Sequence, residues 1–390
     1  MPDFNRLEPV NPQVFHIDWE ITLKCNLDCG YCGSHDNSKK HPPLQECLDT
    51  VDFLLEYADI NFIDSALEHK KVIFNLFGGE AIYHPNFIEI VEYMRSEYNS
   101  KYKHKWELTL GLITNAIVSD KIWARTIELI DAFTISYHAE NNEKQEQQFR
   151  KNVLALHQKT TAYFHVAVLM NAPLFHKNLS FIEFCKEHGI KYLPRQLDHW
   201  GWDTRKYNYT EEQVHWFEGV YKRKSTKPLP SIKIENITKP KVKLIDKVKG
   251  IFKKIINYRI NMTKIGRACC GGETLCVDGK FDEKVFFVPD NRFKDWHCSV
   301  NRFFVFVKQD DQSIRHNKDC RMRFDGREGP MGYLKDSREI LDKMREEITL
   351  GTRPVIVCKK KMCFCGLCAP KAKTLDTYTT MMTRYIKNVK

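Results

Sequence analysis

Residues 15–32 read FHIDWEITLKCNLDCGYC, in which an apolar, β-rich run is followed at once by three cysteines. The run from Phe15 to Ile21 predicts a β-strand. Five further candidate strands follow, each with a stretch of helical spacing behind it: Lys71–Phe77, Glu107–Ile113, Ala132–Ser136, Tyr163–Met170 and Ile190–Pro194. Regular alternation of strands and helices is typical of βα units around a parallel sheet, so the sequence predicts an α/β fold over this region.

The three cysteines of this segment, Cys25, Cys29 and Cys32, follow the first predicted strand as C-x3-C-x2-C. Three thiolates so close in sequence can bind one 4Fe-4S cluster and leave its fourth iron without a protein ligand. An open iron can bind the amino and carboxylate groups of S-adenosylmethionine (SAM) and deliver an electron to its sulfonium. The alternatives are unconnected cysteines or a structural zinc site, which requires four ligands and finds only His35 nearby as a fourth.

This loop resembles the signature of the radical SAM superfamily, in which an aromatic residue such as Tyr31 precedes the last cysteine. The resemblance implies a partial (β/α)6 TIM-like barrel over residues 1–200, with the chemistry at the carboxyl ends of the strands. It also implies that Cys25, Cys29 and Cys32 are catalytic residues that bind the 4Fe-4S cluster. Tyr31 is expected to lie near the adenine of SAM.

Two glycines and a glutamate close the second predicted strand. The sequence Gly78-Gly79-Glu80 is similar to the GGE motif of the same family. The likeness implies that backbone groups of this turn and the Glu80 carboxylate hold the amino group of SAM. An isolated Gly-Gly-Glu is common in turns, and its position at a predicted strand end is what favours a cofactor-binding role.

The next two strands end in further polar residues. Asn115 belongs to a Thr-Asn pair that resembles one in the family, and Ser136 resembles a serine that contacts SAM there. Both are therefore candidate cofactor-binding residues, with an ordinary turn as the alternative for the Thr-Asn pair. His138 and Glu140 follow at the same rim, and we expect them to be solvated, with contact to substrate as the alternative.

Nine of the fourteen cysteines crowd into residues 269–368. Isolated structural cysteines do not cluster in this way in a reducing compartment, so the crowding indicates metal ligands. Cys47 and Cys185 stand alone and are expected to be plain buried cysteines. Between the clustered cysteines, Phe303–Val307, a polar turn at Gln309–Gln312 and a second short extended run predict a hairpin.

The order of cysteine, hairpin, cysteine and terminal cysteine group resembles the SPASM or twitch extension of radical SAM enzymes. The resemblance implies one or two auxiliary 4Fe-4S clusters in a small C-terminal cysteine-rich iron-sulfur domain. Its candidate metal ligands are Cys269, Cys276, Cys298, Cys320, Cys358, Cys363, Cys365 and Cys368. The sequence departs from the family pattern, with Gln312 in place of a glycine, Cys358-x4-Cys363-x-Cys365-x2-Cys368 in place of C-x2-C-x5-C-x3-C, and the pair Cys269 and Cys270 as extra cysteines. The ligand assignment and the number of clusters therefore stay open. Zinc is the alternative metal for this region.

The composition, with 42% hydrophobic and 28% charged residues and no apolar run long enough to span a bilayer, is ordinary for a globular protein. We therefore expect no transmembrane segment and, without an export signal, a cytoplasmic protein.

The net charge of +11 comes from one segment of the chain. Residues 222–267 contain fifteen Lys or Arg and two acidic residues, a net charge of +13, so the rest of the chain carries −2. This basic segment has three interpretations: a solvated insertion, a helix for RNA or an anionic membrane surface, and a docking site for an acidic peptide. Nucleic acid is not favoured, because few aromatic residues for base stacking accompany the charges.

These patterns divide the chain into a radical SAM partial barrel (1–200), a basic linker with an amphipathic helix (201–264) and a SPASM/twitch-like auxiliary cluster domain (265–390). By resemblance, the protein is expected to cleave SAM reductively to a 5′-deoxyadenosyl radical, which abstracts hydrogen from a peptide or protein side chain. The alternatives are a radical SAM enzyme for a small molecule such as a sugar or nucleotide, and a non-enzymatic iron-sulfur or zinc protein that binds RNA. The expected partners are a reducing electron donor such as flavodoxin or ferredoxin and, because only 24 residues precede Cys25, a separate protein that recognises a peptide leader.

Overall fold

The computed structural model describes residues 13–32, 35–65, 67–159, 162–197, 208–221, 276–277, 280–281, 295–316, 320, 329–359, 371–372 and 374–387. The basic segment 222–267 and the amphipathic helix predicted in it lie outside the described residues. Among the described helices, none is long and apolar enough to cross a membrane.

Strands and helices alternate along the chain as far as β6. In chain order the elements are β1 (Val14–Thr22), α1 (Leu44–Asn61), β2 (Lys71–Gly78), α2 (Phe87–Lys101), β3 (Glu107–Thr114), α3 (Asp120–Leu129), β4 (Ala132–His138), α4 (Glu143–Lys159), β5 (Tyr163–Met170), α5 (Phe175–Glu187), β6 (Tyr192–Gln196), α6 (Glu211–Tyr221), β7 (Cys276–Val277), β8 (Lys280–Phe281), β9 (Trp296–Cys298), β10 (Phe304–Lys308), β11 (Ser313–Arg315), β12 (Gly332–Tyr333), α7 (Ser337–Thr349), β13 (Ile356–Cys358), β14 (Lys371–Ala372) and α8 (Leu375–Lys387). The six predicted strands are confirmed as β1 to β6, with bounds that differ by at most two residues. The predicted hairpin is confirmed as β10 and β11, which pair antiparallel.

Nine strands form one sheet in the order β12-β11-β10-β1-β2-β3-β4-β5-β6. All neighbours from β10 to β6 pair in parallel, which in the run from β1 to β6 is the pairing that successive βα units produce. In the part of the chain that the structure describes, the edge strands β12 and β6 do not pair with each other, so the sheet is an open, partial barrel. The predicted α/β fold class is therefore confirmed.

The two faces of this sheet have different environments. On one face, alternate strand residues are buried against the helices of the βα units, as Phe15, Ile17 and Trp19 are in β1. The residues between them, such as Asp18 of β1 and its neighbour Asn75 of β2, lie on the opposite face, where these two side chains form a 2.8 Å hydrogen bond. A side-chain period of two thus gives the sheet an apolar face covered by helices and a polar concave face.

The β10–β11 hairpin extends the barrel sheet, since β10 pairs in parallel with β1 and places Phe304 beside His16. Its turn residue Gln312 has a φ of 51°, in the left-handed region that glycine enters without strain. The Gln312 side chain offsets part of this cost by donating a 2.6 Å hydrogen bond to Glu46 of α1. Helix α7 packs beside α1, so the described residues from β10 to α7 share the barrel core.

A second, smaller sheet has the strand order β13-β9-β14-β7-β8. Its core is separate from the barrel core and includes Cys298 and Cys358. Arg353, just before β13, ties this region to the end of α1. Its guanidinium donates to Asn61 Oδ1 at 2.8 Å and to the two carboxylate oxygens of Asp64 at 2.7 and 3.1 Å. Because the Arg353 side chain is only 5% exposed, this contact is a buried charged junction.

Candidate active site

The loop that follows β1 carries three cysteines at the carboxyl end of the sheet. Cys29 is buried, and Cys25 and Cys32 are half-buried close to it. Backbone contacts shape the loop, since the Cys25 N–H donates to Asn37 Oδ1 at 2.9 Å and the Cys32 N–H donates to the Cys29 carbonyl at 2.8 Å. The structure therefore brings the three predicted cluster ligands together on one short loop at the rim of the barrel.

Gly78 and Gly79, at the end of β2, pack directly against the backbone that leads into this loop. The Gly79 N–H donates to the Thr22 carbonyl at 2.8 Å, and the next N–H along the chain donates to the Lys24 carbonyl at 2.8 Å. A Cβ atom on Gly79 would lie 2.4 Å from the carbonyl oxygen of Lys24, and one on Gly78 would lie 2.2 Å from that of Thr22. Only glycine permits this approach, so the pair sets the position of the cysteine loop.

The Glu80 carboxylate lies buried between the ends of β2 and β3. Its Oε1 accepts from the Thr114 hydroxyl at 2.8 Å and from the Ile82 N–H at 3.3 Å, while Oε2 accepts from the Asn115 N–H at 2.6 Å. Burial raises the pKa of Glu80 to about 7, although these hydrogen bonds act in the opposite direction. Glu80 holds the two strand ends together, and Oε2 can accept one further donor because a carboxylate oxygen has two lone pairs.

Asn115, after β3, braces the cysteine loop from the other side. Its Nδ2 donates to Asn26 Oδ1 at 2.7 Å, and Asn26 Nδ2 donates in turn to the Ile117 carbonyl at 2.8 Å. The same Asn115 Nδ2 lies 3.9 Å from Cys25 Sγ. Its Oδ1 accepts from the Ile117 N–H at 3.0 Å, a local turn that asparagine commonly forms. Asn115 thus positions the residue that follows the first cysteine.

Tyr31 packs against the rim of β4. Its ring lies parallel to that of His138, and its hydroxyl lies 2.8 Å from His138 Nδ1 and donates to Glu140 Oε2 at 3.2 Å. His138 Nδ1 also lies 3.3 Å from Cys29 Sγ, and Asn171 Nδ2 donates to Glu140 Oε1 at 2.5 Å. Burial lowers the pKa of His138 to about 4. The expectation that His138 and Glu140 are simply solvated is wrong, because His138 at the end of β4 and Glu140 two residues later lie between the cysteine loop and the end of β5.

Ser136 lies two residues before the end of β4, because the strand continues to His138. It is half-buried on the concave face, where β4 pairs with β5. The same face carries the exposed Ile113 and a stack between Phe77 and Phe306 with centroids 5.9 Å apart. A ligand bound on this face would therefore meet both polar and apolar side chains.

The donor chemistry of the cysteine loop fits an iron-sulfur cluster. Burial raises the pKa of Cys25 to about 11 and that of Cys29 to about 12, so both thiols are protonated near neutral pH without a bound cation. Metal ions that bind thiols remove this proton outright. Within the described ranges, no three His, Cys, Asp or Glu side chains converge to hold a single metal ion. Convergence on one point is not required here, because each thiolate of a 4Fe-4S cube binds a different iron.

The C-terminal cysteines are described in part. Cys298 on β9 and Cys358 on β13 lie on neighbouring strands and are buried in the second core, against which the half-buried Cys320 packs. Cys276 lies on β7 of the same sheet. The cysteines that lie outside the described residues are Cys269, Cys270, Cys363, Cys365 and Cys368. The structure thus brings three predicted auxiliary ligands to one core and a fourth to its sheet.

Fold and rim together define the class of protein: a partial α/β barrel whose cysteine loop follows β1 and rests on the ends of β2 and β3. The model of the Radical SAM superfamily matches residues 19–194, from within β1 to within β6. Over these residues, which make up less than half of the chain, the sequence is similar to that superfamily. Among curated proteins, none matches the chain.

Three solved structures align with this chain, with the following identities, TM-scores and coverage. Native anSMEcpe with bound AdoMet and Cp18Cys peptide is 14% identical at a TM-score of 0.45, and the alignment covers 96% of both chains. Native anSMEcpe with bound AdoMet is 16% identical at a TM-score of 0.36, with 50% of this chain and 57% of that chain covered. BtrN in complex with AdoMet and 2-DOIA is 20% identical at a TM-score of 0.26, with 38% and 56% covered. In the last two alignments this chain spans little more than half the length of the other protein.

Proposed function

We propose that the protein is a radical SAM enzyme in which Cys25, Cys29 and Cys32 bind a 4Fe-4S cluster and SAM is cleaved reductively to a 5′-deoxyadenosyl radical. When bound, the cluster supplies the electron for this cleavage and an open iron for the amino and carboxylate groups of SAM. One observation carries the proposal: the three thiols share a loop that Gly79 and Asn115 hold against the rim of a barrel that is similar to the radical SAM superfamily.

The residues around the loop would bind and orient SAM. The Glu80 carboxylate suits the SAM amino group, together with backbone groups of Gly78 and Gly79, because its Oε2 can accept one more donor. Tyr31 offers an aromatic face for the adenine, and Ser136 offers a hydroxyl on the concave face. The substrate would lie on the same face, where the radical can reach one of its C–H bonds.

Asn115 would support SAM binding in two ways: by contact with SAM at the rim, and by holding the cysteine loop in place. Its side-chain amide is engaged with Asn26 and Ile117, so its first contribution is to fix the backbone beside Cys25. Loss of these hydrogen bonds would loosen the cysteine loop even where no contact with SAM changes. We therefore expect an Asn115 variant to lose cluster and SAM binding together.

We propose further that the cysteine-rich region is a SPASM/twitch-like domain with one or two auxiliary 4Fe-4S clusters. Its support is the meeting of Cys298, Cys320 and Cys358 in one small core, with Cys276 on the same sheet. Two buried thiols and a half-buried one in so small a core suit a metal-stapled unit, since such a unit has little apolar area to stabilise it. The remaining ligands would be Cys269, Cys363, Cys365 and Cys368.

The resemblance of this region to SPASM domains makes a peptide or protein side chain the proposed substrate. The enzyme would draw electrons from a reduced flavodoxin or ferredoxin and work in the cytoplasm, where low potential and free thiols are maintained. Transfer of deuterium from a labelled peptide into 5′-deoxyadenosine would support this substrate class. Transfer only from labelled sugars or nucleotides would assign the enzyme to small molecules.

The experiment that tests the proposal is anaerobic reconstitution with iron and sulfide, followed by dithionite, SAM and an assay for 5′-deoxyadenosine. The wild type is compared with Cys29→Ala and with Cys185→Ala, which removes a buried cysteine of α5 far along the chain from the loop. We expect 5′-deoxyadenosine from the wild type and from Cys185→Ala, and none from Cys29→Ala. Iron that falls by about one cluster in Cys298→Ala would support the auxiliary site.

Two results would contradict the proposal. The first is zinc in place of iron with no 5′-deoxyadenosine, which would favour a binding protein and make RNA the next ligand to test. The second is equal 5′-deoxyadenosine from Cys29→Ala and the wild type, which would remove this cysteine from the chemistry.

A further inference from the structure

A chain of polar contacts at the β4 and β5 rim leads from a carboxylate to the middle cysteine of the loop. Asn171 Nδ2 donates to Glu140 Oε1 at 2.5 Å, and Tyr31 donates to Glu140 Oε2 at 3.2 Å. The Tyr31 oxygen lies 2.8 Å from His138 Nδ1, and this nitrogen lies 3.3 Å from Cys29 Sγ. These contacts therefore link three segments of the chain, the cysteine loop, residues 138–140 and Asn171, to one thiol.

The contacts decide which nitrogen of His138 carries a proton. A carboxylate such as Glu140 can only accept, so the hydroxyl proton of Tyr31 points to Glu140. With that proton directed to Glu140, the contact of the Tyr31 oxygen with His138 Nδ1 requires that Nδ1 bear the hydrogen. That same N–H faces Cys29 Sγ within the distance of a hydrogen bond to sulfur. The Tyr31 hydroxyl also interacts with Cys29.

We infer that the single Nδ1 proton of His138 is shared between the Tyr31 oxygen and the Cys29 sulfur when that sulfur is a cluster ligand, and that Tyr31 and Glu140 hold the ring in this tautomer. The inference rests on the proposed 4Fe-4S site. Hydrogen bonds to the sulfurs of a cluster help to set its reduction potential, because they stabilise the negative charge of the reduced form. His138 is thus a positioning residue that makes the cluster easier to reduce.

The test is a potentiometric titration of the reconstituted enzyme, followed by electron paramagnetic resonance of the cluster whose signal changes when SAM is added. At a fixed potential we expect the ratio of reduced to oxidised cluster to fall about tenfold in His138→Phe, which is a shift of about 59 mV for one electron. His138→Asn, whose amide can replace the Nδ1 donor, should restore the ratio to within about threefold of the wild type. His165→Phe, near the opposite end of β5, is the matched control and should leave the ratio unchanged.

A second measurement does not depend on a cluster. Nitrogen-15 NMR of the full-length, metal-free chain labelled at histidine reports the tautomer of each ring. We expect the Nδ1–H form for His138 and its conversion to the Nε2–H form in Glu140→Leu, which removes the acceptor for the Tyr31 proton. An Nε2–H form in the wild type would overturn the inference even if His138→Phe failed to assemble a cluster.

The outcomes separate this inference from the proposed function. If the SAM-responsive cluster has the same reduction potential in the wild type and in His138→Phe, the proposed role of His138 is contradicted, while the radical SAM proposal is not affected. The absence of any SAM-responsive cluster in the wild type would overturn both.

Discussion

Replacement of Gly79 by alanine should displace the cysteine loop by steric contact alone. The new Cβ atom would lie 2.4 Å from the carbonyl oxygens of Leu23 and Lys24, and real Cβ atoms essentially never approach closer than 3.0 Å. The loop must therefore move by about 0.6 Å, because both atoms belong to the backbone and cannot rotate away. Overpacking of this kind costs about 1–3 kcal/mol, and weakening of the two hydrogen bonds at the Gly79 turn costs about 1 kcal/mol more.

We accordingly expect Gly79→Ala to lower the free energy of unfolding by about 2–4 kcal/mol in urea titrations of the metal-free chain. Iron content after reconstitution should fall by about one cluster, because the displacement begins one residue before Cys25. Gly219→Ala is the matched control, since its Cβ would meet nothing within 4 Å and alanine is the better helix former in α6. If Gly79→Ala unfolds and binds iron as the wild type does, the glycines do not set the position of the loop.

Two further perturbations test the rim and the junction between the sheets. Burial raises the pKa of Glu80 to about 7 from the ordinary 4.5, so the native state holds this proton more tightly and loses stability as the pH rises from about 4.5 through 7. In Glu80→Gln this decrease in the free energy of unfolding, on the order of 3 kcal/mol, should disappear from urea titrations of the metal-free chain at different pH values. A pH profile identical to that of the wild type would show that Glu80 is ionised throughout. Arg353→Ala removes the buried partner of Asp64, which keeps its 3.3 Å contact with Arg302, and also removes two hydrogen bonds to Asn61. It should lower the free energy of unfolding by about 3 kcal/mol, whereas Arg338→Ala, whose side chain is 70% exposed, should cost less than about 1 kcal/mol. Equal effects of the two arginine variants in urea would contradict the importance of the junction.

The strands of the barrel could be predicted because each combines a run of β-forming residues with a helical stretch behind it. Cys47 and Cys185 are buried, as predicted from their isolation from the clustered cysteines. The position of β10 beside β1 could not be predicted, because pairing between residues 16–19 and 304–307 leaves no local pattern in the sequence. The glycine expected at position 312 illustrates the same limit, since only the structure reveals the positive φ that glycine would satisfy.

The motifs of the site could be predicted from the sequence, whereas the contacts between their side chains could be predicted only in part. Period-two alternation places Ser136 and His138 on one face of β4, which was a usable signal that His138 lies inside the rim. Its contact with Tyr31 joins segments more than a hundred residues apart, and no spacing rule reports such a meeting. The roles of Glu80 and Asn115 in SAM binding stay predictions, while their hydrogen bonds show that they also brace strand ends.

The parallel pairing of β10 with β1 also has a consequence for how the protein is made. Ile17 lies beside Val305, so β1 is an open edge on this side until 288 more residues have been translated. At about 5–20 residues per second, a ribosome needs about 15–60 s for this distance. Throughout that interval the strand that leads into the cysteine loop lacks one neighbour, and its exposed edge is open to wrong partners. Nascent chains stalled before residue 304 should therefore need chaperones more than the finished chain does.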